Sequence, residues 1–86
     1  MKPYIDIKYS SNRFFRIFFP WIKEGDLVWH RDKLDRKVSV LFNKNWFFQY
    51  DNKLPFLLNG AIFIEKEEYH RLIKGRGLLL LKIKEQ

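Results

Sequence analysis

Apolar and polar residues alternate with a period of two along most of this chain, and no segment keeps a helical stripe for three turns. Tyr4-Ile5-Asp6-Ile7-Lys8-Tyr9 alternates and places Ile5, Ile7 and Tyr9 on one face of a strand. After the polar turn Ser10-Ser11-Asn12, Arg13 to Phe19 predicts a second strand, with Phe15, Ile17 and Phe19 on one side and Pro20 at its end. Glu24-Gly25-Asp26 turns into Leu27-Val28-Trp29-His30, and Arg31 to Asp35 is a charged loop. Arg36 to Phe42 predicts a strand with Val38, Val40 and Phe42 inward, joined as a hairpin through Asn43-Lys44-Asn45 to Trp46 to Tyr50. Leu54 to Leu58 is extended, Ala61 to Ile64 is a short buried strand, and Tyr69 to Ile73 forms a hairpin with Leu78 to Lys84 across Lys74-Gly75-Arg76-Gly77. Turn residues recur about every eight to twelve residues, the spacing of an all-β barrel or sandwich. The expectation is a small antiparallel barrel of about eight or nine short strands, without a substantial helix.

Composition narrows this further. The 86 residues make one domain, 1–86, because no second core fits. Hydrophobic residues are 47% of the chain, enough for a core and too many for disorder. Nine Phe, four Tyr and three Trp exceed what one small barrel holds, so Phe14, Phe18, Trp21 and Phe56 are expected as surplus on the surface. That surplus, with the Tyr4 to Tyr9 strand as a free edge, predicts a homodimer. The absence of cysteine excludes disulfides, thiol nucleophiles and iron–sulfur ligation. No apolar run resembles a secretory signal or approaches the ~18 residues of a membrane span, so a cytoplasmic protein without a membrane partner is expected.

Two histidines occur in like settings, Trp29-His30-Arg31 and Tyr69-His70-Arg71. His30-Arg31-Asp32, then Arg36, then the apolar run to Phe42 fall in the order of a cupin first motif, where a His-x-His pair and a glutamate precede a strand. Ile62-Phe63-Ile64 leading into His70 follows the second motif, with neither its proline nor its glycine. From Leu27 to Ile83 the chain therefore resembles the cupin family with a degenerate metal motif, which implies a cupin-like, jelly-roll type β-barrel. In metal-bearing cupins the corresponding positions converge on one ion. By that resemblance His30, Asp32 and His70 are the metal candidates, a 2-His-1-carboxylate set suited to Fe, Mn, Ni or Zn and to a metal-dependent enzyme.

Arg36 departs from the pattern. Its guanidinium has no acceptor, so it cannot ligate, and a fixed cation repels a divalent ion. Arg36 stands four residues after Asp32 and is its natural partner. If Asp32 is committed to Arg36, the site is metal-poor. If Asp32 turns to the histidines, an ion fits and Arg36 needs another partner. The sequence favours the first outcome, an interior pocket in which His30, Asp32, Arg36, Gln49 and His70 bind a small polar or anionic molecule. Gln49 enters on strand parity with Phe47, although the alternation leaves open which face of that strand is inward. No catalytic nucleophile or phosphate-binding loop stands out, and Lys74-Gly75-Arg76-Gly77 reads as a turn.

A formal net charge of +7 supports a rival, an OB-like module for single-stranded nucleic acid. Its cations would be Arg13, Arg16, Lys23, Arg71, Lys74 and Arg76, with Phe14, Trp21, Trp46 or Tyr69 as stacking platforms. Against it, these residues are spread along the chain and the aromatic signatures of such modules are missing.

Overall fold

In the computed structural model, which describes residues 2–86, eight strands form two antiparallel sheets. They are β1 (Tyr4–Lys8), β2 (Arg13–Phe18), β3 (Arg36–Asn43), β4 (Phe47–Tyr50), β5 (Phe56–Leu57), β6 (Ala61–Ile64), β7 (His70–Ile73) and β8 (Leu79–Glu85). One sheet has the order β1-β2-β8-β3-β6 and the other β5-β4-β7. The only helical turn among the described residues is the 3-10 segment Glu24–Asp26. The all-β expectation holds, in a jelly-roll arrangement. The barrel does not close: β1 and β6 end one sheet and β5 and β7 end the other.

Both expected hairpins are overturned. β3 pairs with β8 and β6, whereas β4 pairs with β5 and β7, so the Asn43-Lys44-Asn45 link passes from one sheet to the other. The Asn43 side chain holds this corner, donating to the Trp46 and Leu58 carbonyls and accepting from the Trp46 amide at 2.8 Å. Asn45 takes the left-handed conformation (φ 65°), which asparagine tolerates better than most residues. Lys74 to Leu78 makes the second sheet-crossing corner, packed on the first. Arg76 N–H donates to the Lys44 carbonyl, Lys44 N–H to Leu78, and the Trp46 indole to Gly77. Gly75 is required by that approach, because a Cβ there would strike the Lys44 carbonyl and the Trp46 ring.

Between the sheets lies a core of Phe14, Phe18, Val38, Trp46, Phe48 and their neighbours, with Trp46 and Leu79 fully buried. β2 faces opposite to expectation. Phe14 and Phe18 are buried, while Phe15 and Ile17 lie on the solvent side. Apolar residues occupy both parities there, so alternation carries no phase; register against β8 and the inward Arg16 decide it. On β1, Ile5 and Ile7 are exposed. On β3, Val38 is buried and Val40 half-buried, but a register shift between Val40 and Phe42 turns Phe42 outward. Of the expected surplus, Trp21 is exposed, Phe56 half-buried, and Phe14 and Phe18 belong to the core.

Candidate metal centre

The two histidine tripeptides pair with each other. His30 lies in the segment before β3 and reaches β7 through one antiparallel bridge: its N–H donates to the His70 carbonyl at 3.0 Å, and His70 N–H donates back at 2.9 Å. Antiparallel pairing about that bridge sets Trp29 opposite Arg71 and Arg31 opposite Tyr69. The Arg71 guanidinium accordingly lies 4.7 Å over the Trp29 ring and that of Arg31 lies 5.4 Å over Tyr69. Each motif's arginine therefore covers the other motif's aromatic ring. The imidazoles meet edge to face with centroids 4.3 Å apart.

Both rings are oriented the same way. Nδ1 of His30 contacts the Val28 carbonyl at 3.0 Å, and Nδ1 of His70 the Glu68 carbonyl at 2.8 Å. A carbonyl only accepts, so this network assigns the proton of each neutral ring to Nδ1 and leaves a lone pair on Nε2. Both Nε2 atoms face Asp32, at 3.8 Å from Oδ1 for His30 and 3.4 Å from Oδ2 for His70. Asp32 is 9% exposed, and its Oδ2 is buried without a hydrogen-bond partner. One ligand atom from each residue lies within 4.8 Å of the others. Burial lowers the His70 pKa, and the neighbouring His30 and Arg36 lower it further against the raising pull of the Glu68 carbonyl and Asp32. His70 is thus held neutral at pH 7, the form that ligates metals.

Two solved structures share this architecture. A cupin-2 domain containing protein from Shewanella frigidimarina superposes with a TM-score of 0.66 at 15% identity, covering 96% of this chain and 79% of the other. A protein from Neisseria meningitidis superposes with a TM-score of 0.62 at 13% identity, covering 96% and 82%. The fold is cupin-like. At these identities the likeness extends to the fold alone. No protein-family model and no curated protein sequence matches the chain.

Arg36, which the resemblance set at the motif's glutamate position, is engaged by two carboxylates. Its Nε and Nη2 both reach Glu85 Oε2 at 2.9 Å, and its Nη1 lies 3.3 Å from Asp32 Oδ1. The two outcomes posed for Asp32 occur together: one oxygen turns to Arg36 and the other to His70. Glu85 lies outside the site that the sequence predicts. It sits directly opposite Arg36 in the β3–β8 register, which no local pattern reveals. By balancing Arg36, Glu85 weakens the repulsion that a cation at the histidines would otherwise meet.

Gln49 is displaced from the expected set. Trp46 and Phe48 face the core, so Gln49 faces away, donating to the Lys53 carbonyl and accepting from Arg71 Nε. A cavity of about 270 Å³ opens between the sheets, with His30, Asp32, Arg36 and His70 at its polar end and Phe48, Leu58, Ile64 and Leu81 among its walls. Arg16 also lines it, but is engaged by Asp6 through two contacts of 2.8 and 2.9 Å.

Proposed function

We propose that this chain is a small-molecule-binding cupin-like module whose cavity carries a divalent-cation site at its polar end, formed by His30 Nε2, His70 Nε2 and Asp32. One observation carries the reading: two imidazoles tied through Nδ1 to backbone carbonyls aim their lone pairs at a carboxylate whose Oδ2 is buried and unpartnered. The two Nε2 lone pairs and Asp32 Oδ2 converge with no donor at Oδ2, an arrangement that is repulsive until a cation or proton enters. Mixed imidazole and carboxylate donors suit Fe, Mn, Ni or Zn. A cation held by His30, His70 and Asp32 would supply Lewis-acid polarisation of a ligand oxygen.

The chain's own residues supply the rest of the site. Phe48, Leu58, Ile64 and Leu81 exclude water and accept the apolar body of a ligand. Arg36 Nη1 favours an anionic or polar group beside Asp32. At about 270 Å³ the cavity is slightly below the usual ligand-pocket range, which restricts the ligand to small-metabolite size. Calorimetric titration of metal-stripped protein with Mn²⁺, Fe²⁺, Ni²⁺ and Zn²⁺ tests the site. Near one-to-one binding of at least one ion, abolished in Asp32→Ala and His70→Ala, is expected. Failure of all four ions to bind folded protein overturns it, leaving the arginine-lined pocket as an anion site.

The reading includes a second copy of the chain. Ile5, Ile17, Leu80 and Phe42 stand opposite one another on the solvent face of β1, β2, β8 and β3, beside the unpaired edge of β1. Sedimentation at roughly tens of micromolar is expected to show a dimer. Ile17→Lys should shift it to monomer; a wild-type monomer at that concentration refutes self-association.

A further inference from the structure

The solvent face of the five-stranded sheet carries a second feature, distant from the histidine cavity. Arg13, Lys84 and Lys37 stand directly opposite one another on β2, β8 and β3. Like charges facing across strands destabilise a sheet, and here three occur in one row. Lys82 adds a fourth, opposite Ser39 in the adjacent row. Among the described residues, no carboxylate forms an ion pair with any of the four. With Tyr9 and Ser39 they line a shallow depression of about 170 Å³.

Exposed aromatic rings close both ends of this row. Phe63 is opposite Lys37 and 50% exposed. Tyr9, 45% exposed, bonds through its N–H to the Arg13 carbonyl and lies 5.0 Å from the Phe15 ring. A lone inorganic anion would need the cations and make no use of the rings. A chain that alternates phosphates with flat bases uses both.

We propose that this sheet face binds single-stranded nucleic acid, its phosphates along Arg13, Lys84, Lys37 and Lys82 and its bases on Tyr9 and Phe63. Of the residues that the sequence suggested for such a role, Arg13 alone belongs to this site. Phe14 and Trp46 are buried, and Arg16 and Arg71 are engaged by Asp6 and Gln49. The assignment is independent of the metal reading.

Fluorescence anisotropy of a labelled short oligothymidylate across a salt series tests it. Contact of four cations with phosphates predicts a slope of log K against log salt of roughly −2 to −3. The double variant Lys37→Glu/Lys84→Glu should lose at least about tenfold in affinity at low salt and flatten the slope by about 1.4. Lys33→Glu/Lys53→Glu, with the same change in net charge on other exposed positions, should keep the slope. Tyr9→Ala and Phe63→Ala should each cost about fivefold or more with the slope unchanged. All variants are first checked for the wild-type circular dichroism spectrum and melting temperature. No binding at low salt, or equal losses in both charge variants, overturns the site. Unchanged affinity in both aromatic variants overturns the nucleic-acid assignment in favour of a bare polyanion surface.

Discussion

His30 and His70 have the same neighbours in sequence, the same Nδ1 bond to a carbonyl two residues upstream and the same target, Asp32. Their burial differs sharply. The His70 side chain is 5% exposed and the His30 side chain 44%. The difference follows from the backbone. His70 begins a strand hydrogen-bonded to β4 on one side and to the His30 bridge on the other, and its ring stacks against Phe48 at 5.2 Å. His30 belongs to a segment that touches the sheet through that bridge. Equivalent local chemistry therefore yields one fixed imidazole and one at the cavity mouth. His70 contributes to packing and to the site, His30 chiefly to the site.

The comparison can be broken first at the metal. His30→Ala and His70→Ala should each lower divalent-ion affinity by about 100-fold or more, since both rings supply a donor. Calorimetry that finds a loss in only one of them shows that the other is no ligand. Arg36→Leu attacks the carboxylate that both rings share. It strands Glu85 and leaves one Asp32 oxygen without its cation, and should destabilise by about 2 kcal/mol, less than for a fully buried pair because Glu85 is partly exposed. Urea unfolding measures this, and a neutral result means that solvent already satisfies Glu85.

Without metal the two histidines should separate. His70→Ala removes a buried ring from against Phe48 and should cost roughly 1–2 kcal/mol, whereas His30→Ala should stay within about 0.5 kcal/mol. Equal costs would mean that the bridge segment is as tightly held as β7. The pH dependence sharpens the same point. Burial depresses the His70 pKa below 6.5, so the unfolded chain takes up this proton more readily than the folded one. Stability of the metal-free protein is therefore complete above about pH 6.5 and falls as the pH drops through the lower, folded value. His70→Gln should flatten that decline in thermal melts, and an unaltered profile in the variant assigns it to another group. The smallest effect lies on the outer side of the bridge. Trp29→Leu and Tyr69→Leu should each cost about 0.5 kcal/mol through the loss of a cation–π contact, and by similar amounts. A difference of several-fold in the resulting equilibrium constants would show that the outer face of the bridge is not as symmetric as its sequence.

The period of two, the turn spacing and the missing helical stripe sufficed for an all-β domain, because alternation is a local property of each strand. The pairing His30, Asp32 and His70 was also legible, through the order of degenerate motifs and the repeated aromatic-His-Arg tripeptide. Strand phase was legible only where one parity is polar. On β8, Lys82 and Lys84 mark the solvent side, and Leu81 and Ile83 are buried as that pattern requires. On β2, with phenylalanines on both parities, and on β4, where Gln49 shares a run with four aromatic residues, local alternation carries no sign. There the choice falls to the partner strand and to the cost of burying an arginine without a carboxylate opposite it.

The remaining decisions belong to contacts between residues far apart in the chain. Asn43 and Gly75 turn apparent hairpins into two sheet-crossing corners because each corner's backbone groups are satisfied by the other's. Glu85 becomes the partner of Arg36 only when β8 lies beside β3, and that partnership leaves the second oxygen of Asp32 free to face His70. Residue types and their spacing along the chain determined which groups were available for a site. Strand register decided which of those charges cancel and which remain, since an ion pair depends on distance in space and carries no trace in local sequence.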